Sequence, residues 1–225
     1  MTQSNNHTKQ ARAAILCLLL TLLLPLSAQT HSSKDFQSLP ISDSIFARIW
    51  LKSYKKECTI PRSDLRYLQV LHCDKEGNTQ HGELICHQSI ASDLLEIFEE
   101  LYKNGYRIEC MKLIDDYNAD DETSMRANNT SCFNFRKVAG SSTLSKHSKG
   151  MAIDINPLVN PCVNLRSGKI EPTTGKPYAY NRKNGNTKAL QKIDRNDLCY
   201  KLFIQHGFRW GGAWKTKKDY QHFEK

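Results

Sequence analysis

The sequence SKHSKGMAIDI at residues 145–155 places an imidazole, His147, seven residues before a carboxylate, Asp154. Nearer the C-terminus, the sequence DYQHFE at residues 219–224 supplies a second imidazole, His222. A catalytic zinc ion takes about three protein ligands from His, Asp and Glu and keeps an open position for water. These two histidines and Asp154 meet that requirement, so we predict that they hold one Zn²⁺ ion in a cleft.

The second stretch also carries an acid, Asp219, three residues before His222. A carboxylate beside the metal can take the proton of water as the water attacks a carbonyl carbon, and we predict this role for Asp219. A continuous strand would place Asp219 on the face opposite His222, so a turn must end just before Gln221 or His222. Glu224 shares the face of His222 and is either the rival base or a partner that orients an imidazole.

The N-terminal residues have the pattern of a secretory signal peptide. Lys9 and Arg12 precede an apolar run, residues 13–24, and small residues follow up to Ala28. The run falls short of the roughly 20 apolar residues that span a bilayer, which makes a retained anchor the weaker alternative. We therefore predict a signal peptide at residues 1–28 and an exported protein, periplasmic or secreted, without stable membrane insertion after cleavage.

The mature chain is basic. Its formal charge falls from +9 to +7 on cleavage, because Lys9 and Arg12 are lost with no acid. A basic exported protein can meet polyanionic envelope polymers. No dense basic tract with interleaved aromatic residues suggests nucleic-acid binding. The length favours one domain, predicted at residues 42–225 behind a flexible segment at 29–41, and we expect a monomer.

The hydrophobic pattern predicts an α+β fold, a small antiparallel sheet flanked by helices. The predicted strands are 66–73 and 83–87, which form a hairpin around the turn at 74–78, then 107–113, a strand from residue 150, and a last strand around His222. One predicted helix begins after Ser42, a second covers 91–104, and a third runs from about residue 194 or 196 to 206. Residues 158–193 are predicted to form a long excursion over the surface.

Seven cysteines remain after cleavage, and none lies in a C-x-x-C pair. Export permits disulfides, and Cys73 and Cys86 flank the predicted hairpin turn, which makes them the first candidate pair. Buried free thiols are the alternative.

Three motifs together resemble the M15 family of zinc peptidases, the D-alanyl-D-alanine carboxypeptidases and L-alanyl-D-glutamate endopeptidases. They are S-x-H-x-x-G-x-A-x-D-I at 145–155, W-G-G-x-W at 210–214 and D-x-x-H-F-E at 219–224. The resemblance is strong over residues 125–225 and loose over the preceding 80.

The resemblance implies a role for each matching residue. The zinc ligands would be His147, Asp154 and His222. Asp219 would be the general base and then the proton donor to the leaving amine. Ser145 and Trp214 would line the substrate pocket, although Trp214 is equally a core residue. Arg136, with Arg126 as its rival, would meet the oxyanion or a substrate carboxylate.

The implied reaction is hydrolysis of a peptide bond in the stem peptide of bacterial peptidoglycan. The bond is either a terminal D-alanyl-D-alanine bond or an internal L-alanyl-D-glutamate bond. The alternative function is a catalytically inert, zinc-stabilised module that binds the envelope. Adhesion to envelope polymers through the basic charge is a third, and salt would weaken it steeply.

Overall fold

A computed structural model describes residues 34–138, 140–180, 182 and 192–225. The predicted signal peptide at 1–28 and residues 29–33 lie outside these ranges. Within them, no helix has the length and apolar character needed to cross a membrane.

The predicted α+β class with antiparallel strands is confirmed, although the strands form three small sheets instead of one. The strands of the described residues are β1 Gln37–Pro40, β2 Leu65–Cys73, β3 Thr79–His87, β4 Ala152–Asp154, β5 Cys162–Asn164, β6 Ile170–Glu171, β7 Arg209–Trp210, β8 Lys217–Asp219 and β9 His222–Glu224. Their orders in the three sheets are β1-β2-β3, β4-β9-β7 and β6-β5-β8.

The α-helices of the described residues are α1 Asp43–Ile49, α2 Ala91–Lys103, α3 Asp121–Arg126, α4 Lys176–Ala179 and α5 Leu198–Gln205. Short 3-10 turns lie at Arg62–Asp64, Gln88–Ile90, Ile114–Tyr117, Lys146–Lys149, Thr173–Gly175 and Gly211–Ala213. The three helices predicted from periodicity are α1, α2 and α5. Ser42 begins α1 as predicted, because its side chain accepts a hydrogen bond from the Ile45 N–H.

The predicted hairpin is confirmed as β2 and β3, whose register runs from Leu65 opposite His87 to Cys73 opposite Thr79. Asp74 closes the turn, because its Oδ1 accepts the backbone N–H groups of Gly77 and Asn78, each at 2.8 Å. Strand β1 adds to β2 along its free edge. The segment 29–41, predicted to be flexible, thus contains the residues of β1.

The strand predicted at 107–113 is wrong. Arg107 and Cys110 form only isolated bridges. Asparagine side chains take the hydrogen bonds that a partner strand would make: the Glu109 N–H donates to Asn156 Oδ1 at 3.1 Å and the Lys112 N–H to Asn129 Oδ1 at 2.8 Å.

The Cys73–Cys86 disulfide is also wrong. Cys86 lies opposite Arg66, near the far end of the hairpin from Cys73. Seven residues of strand span about 23 Å, whereas a disulfide needs Cα atoms within about 7 Å. All seven described cysteines are free; Cys58 and Cys110 are half-buried and the others are buried.

Residues 158–193 hold more regular structure than the predicted surface excursion. Their described part contains β5, β6 and α4, and β5 pairs with both β6 and β8. Strands β5 and β6 of this segment therefore belong to the third sheet. The remaining strand of that sheet, β8, ends at Asp219.

The main core joins α2, α5 and the second sheet. The apolar face of α2 includes Phe98, and it packs in one cluster with Phe203 of α5 and Phe223 of β9. The rings of Phe203 and Phe223 stack at 4.3 Å between centroids. Burial of such a side chain contributes about 1.5–3 kcal/mol, so this contact anchors β9 from behind.

Candidate active site

The strand predicted from residue 150 is confirmed as β4, and the alternation of its side chains positions the site. Ile153 of β4 lies opposite Phe223 of β9, and both are fully buried on the core face. The next pair along the ladder, Asp154 opposite His222, therefore points away from that core. His222 Nδ1 lies 3.0 Å from Asp154 Oδ1.

His147 reaches the same place from the 3-10 turn Lys146–Lys149. Ser145 begins this turn, because its Oγ accepts the His147 N–H at 3.2 Å. Gly150 ends it with φ +64°, and a Cβ there would lie 2.6 Å from the backbone nitrogen of His87. Only glycine fits both the left-handed conformation and this close approach, which explains the glycine in the motif.

The ligand atoms of His147, Asp154 and His222 all lie within 4.8 Å of one another. His147 Nε2 is 3.2 Å from Asp154 Oδ2 and 3.3 Å from His222 Nδ1. Both histidines are buried. Three donor atoms of this kind, converging in a buried place, could hold a metal ion.

A second partner orients each imidazole. His147 Nδ1 donates to the Cys132 carbonyl at 2.6 Å, so we assign the lone pair of this ring to Nε2, which faces Asp154. His222 Nε2 lies 3.3 Å from Glu224 Oε2 and directs Nδ1 to the same centre. Such outer partners fix the ring tautomer and orientation in metal sites.

The charges of His147, Asp154 and His222 favour a bound cation, either a proton or a metal ion, between these side chains. Burial alone would raise the pKa of Asp154, but the imidazoles of His147 and His222 lower that pKa well below its usual range. Burial alone would lower the pKa of His222, but hydrogen bonds to Asp154 and Glu224 raise that pKa to about 10. A metal cation would displace protons from these atoms, so its binding must weaken as pH falls.

The turn predicted before His222 is confirmed. Strand β8 ends at Asp219, Tyr220 and Gln221 form a bend, and β9 begins at His222. The bend places Asp219 and His222 against the same residue, Gly211. A Cβ atom added to Gly211 would lie 2.8 Å from Asp219 Cβ and 3.2 Å from His222 Cβ.

The carboxylate of Asp219 is buried, and only one of its two oxygens has a partner among the described residues. Its Oδ2 lies 3.2 Å from the ammonium of Lys217. Its Oδ1 is buried and has no hydrogen-bond partner among the described residues. A buried carboxylate oxygen without a partner is costly, and Oδ1 keeps its capacity to accept a hydrogen bond.

Each of the two rival arginines pairs with a carboxylate. The Arg136 main chain supports the His147 turn through Ser148 and Ser145, while its guanidinium forms an ion pair with Asp121. Arg126 is bound on the surface: its Nε lies 3.0 Å from Glu122, and its second guanidinium nitrogen donates to Thr173 Oγ1.

Trp214 and Glu224 lie beside His222. The Trp214 ring is 5.2 Å from the His222 ring, between centroids. Both Glu224 oxygens are occupied, one by His222 and the other by the Arg209 guanidinium at 2.7 Å. This pairing favours an orienting role for Glu224 over that of a base.

Sequence reasoning missed three contributors: the Cys132 carbonyl, Lys217 and Gly211. A backbone carbonyl carries no side-chain signal. Period-two alternation in β8 places Lys217 on the face of Asp219 and could have indicated Lys217.

Two cavities of about 400 Å³ lie elsewhere, beside β3, and neither is lined by a residue of the metal group.

A family model described as D-alanyl-D-alanine carboxypeptidase matches residues 139–225. The resemblance noted in the sequence is confirmed over these residues, which contain the complete metal group and Asp219. Arg136 and Arg126 lie outside it. Neither the curated proteins nor the solved structures contain a significant match to the chain.

Proposed function

We propose that the protein is an exported zinc peptidase that hydrolyses a bond in the stem peptide of peptidoglycan. The M15 match supports the peptidase class. The observation that carries the proposal is the convergence of His147, Asp154 and His222. Asp219, which has one unpaired oxygen, lies with His222 beside Gly211.

The donor spacing supports zinc. Ligands at about 2.0–2.2 Å from a tetrahedral ion stand about 3.3–3.6 Å apart. The two ring nitrogens, His147 Nε2 and His222 Nδ1, are 3.3 Å apart, which matches that separation. Each lies close to a different oxygen of Asp154, His147 Nε2 at 3.2 Å from Oδ2 and His222 Nδ1 at 3.0 Å from Oδ1. Two imidazoles and a carboxylate also leave one tetrahedral position open for water.

A zinc ion held there would polarise the scissile carbonyl and lower the pKa of a water molecule to about 7. The residues around it have separate tasks. Cys132 and Glu224 keep the two imidazoles oriented. Asp219 Oδ1 accepts the proton of the attacking water and later delivers it to the leaving amine. Trp214 forms a wall beside His222, and Ser145 holds the His147 turn at the edge of the pocket.

Arg136 is the proposed cation for the developing negative charge, because its main chain is hydrogen-bonded to the turn that carries His147. We expect Arg136→Ala to lower kcat/KM by about 10²- to 10³-fold, as loss of an oxyanion donor does. Arg126→Ala serves as the matched control and should change kcat/KM little, because its partners lie on the surface. Steady-state rates of the two variants decide between them. A larger loss in Arg126→Ala would reverse the assignment.

Gly211 is proposed to set the distance between Asp219 and His222. Gly211→Ala should lower kcat by about 100-fold, because an ångström of displacement in a catalytic group has an effect of that size. Ala213→Ser, at an exposed neighbour, is the control. Rates are compared at equal zinc content. Full activity in Gly211→Ala would show that the close approach is unnecessary.

Digestion of purified peptidoglycan by the zinc-loaded protein tests the function, with mass spectrometry of the products. Free D-alanine would identify a carboxypeptidase, and new D-glutamate amino termini would identify an endopeptidase. Asp219→Ala is run in parallel. If the wild type and Asp219→Ala both bind the polymer and neither releases a product, the inert binding module replaces the peptidase.

A further inference from the structure

Lys217 has no assigned role, yet its ammonium lies inside the candidate site. Nζ is 3.2 Å from Asp219 Oδ2 and 4.7 Å from the centroid of the Trp214 ring. The Trp214 ring in turn lies 5.2 Å from the ring of His222. Lys217 thus contacts both Asp219, the proposed base, and Trp214, whose ring lies beside the candidate metal ligand His222.

The strand register explains why Lys217 takes this position and its neighbour does not. Side chains alternate along β8, so Lys217 and Asp219 share one face and Lys218 occupies the other. On the paired strand β5, Cys162 lies opposite Asp219 and Val163 opposite Lys218. The chain therefore offers two adjacent lysines of equal charge, only one of which faces the base.

The two oxygens of Asp219 are in different situations. Lys217 engages Oδ2, whereas Oδ1 is buried without a partner among the described residues. A carboxylate without this contact could rotate about its Cβ–Cγ bond and exchange the two atoms. An ammonium on one oxygen breaks this symmetry and holds the other in a single direction.

We propose that Lys217 is a positioning residue for the base: it binds Asp219 Oδ2 and thereby presents Oδ1 to the water that attacks the substrate. This inference rests on the proposed function, since the orientation of Oδ1 has consequences only if Asp219 transfers the proton.

The charge of Lys217 suits this role. Burial lowers the pKa of its ammonium, but the carboxylate of Asp219 outweighs burial and leaves the pKa above its ordinary value. Its Nζ also lies over the Trp214 ring, an arrangement in which the ring attracts a cation. The ammonium is thus held by two groups of the site.

A double-mutant cycle tests the proposal. Lys217→Met keeps the length of the side chain and removes the charge, Lys217→Arg restores a cation, and Lys218→Met is the matched control on the opposite face. Lys217→Met is made in both the wild-type and the Asp219→Asn backgrounds. For each protein, zinc content, the melting temperature, kcat and KM are measured with the peptidoglycan peptide that the wild type cleaves.

We expect Lys217→Met to lower kcat by about 10- to 100-fold with little change in KM or zinc content. Lys217→Arg should recover much of that loss, and Lys218→Met should retain the wild-type kcat. In the Asp219→Asn background, Lys217→Met should cause no further loss of kcat, because a residue that acts through Asp219 has nothing left to position. The melting temperatures should show the same coupling. Lys217→Met should lower the melting temperature of the wild type by about 1–3 °C and leave that of Asp219→Asn unchanged.

The proposal is overturned if Lys217→Met keeps full kcat, loses zinc, or lowers kcat equally in both backgrounds. If the zinc-loaded wild type cleaves no peptidoglycan peptide, the proposed function fails by itself. The melting temperatures then still decide whether Lys217 and Asp219 are coupled, and additive shifts would overturn the pairing.

Discussion

Asp154→Ala should abolish tight zinc binding and peptide hydrolysis together. Asp154 contacts both imidazoles, through Oδ2 to His147 and Oδ1 to His222, and it is the one carboxylate of the metal group. Loss of an outer partner of a metal ligand weakens metal binding by about 10- to 100-fold, and loss of a ligand should exceed that range. Hydrolysis should fall to background.

Thermal unfolding gives a second measure of the same change. A ligand present at about 1,000 times its Kd stabilises the folded state by about 4 kcal/mol, so added zinc should raise the wild-type Tm by many degrees. Asp154→Ala should remove this rise. Asp43→Ala, at an exposed carboxylate paired with Arg62, is the matched control and should keep it. An equal rise in both variants would mean that zinc binds elsewhere.

Asp219→Asn should separate catalysis from metal binding. The substitution preserves shape and removes the proton acceptor, and loss of a general base lowers kcat by about 10²- to 10⁴-fold. Zinc content should stay at the wild-type level, because Asp219 is not in the metal group. The measurement is kcat against zinc bound per chain.

Glu224→Gln is the matched comparison, since Glu224 is the rival base. Its oxygens pair with His222 and Arg209, so the substitution should act on zinc affinity, by about 10- to 100-fold, more than on kcat at saturating zinc. The assignment fails if Glu224→Gln loses kcat with its zinc intact while Asp219→Asn stays active.

Much of the site could be predicted because local patterns determine it. In the strand predicted from residue 150, successive side chains point to opposite faces, so Asp154 faces away from Ile153, and the register of β4 with β9 places it opposite His222. The distance of three residues between Asp219 and His222 required a turn, which the bend at Tyr220 provides.

Other features depend on long-range partners that a local pattern does not contain. The Cys132 carbonyl meets His147 across 15 residues, and nothing in the residue type indicates it. The pattern at 107–113 alternates like a strand, yet asparagine side chains from distant loops take its hydrogen bonds. For the same reason the ion pair of Arg136 with Asp121 could not be foreseen.

The central claim is that peptide hydrolysis depends on one zinc ion held by His147, Asp154 and His222. The most direct test is titration of zinc into the chelator-treated protein, with mass spectrometry of the peptides released from purified peptidoglycan. We predict that chelation abolishes release and that about one equivalent of zinc restores it. Release that persists without metal, or no release from the fully reconstituted protein, would contradict the claim.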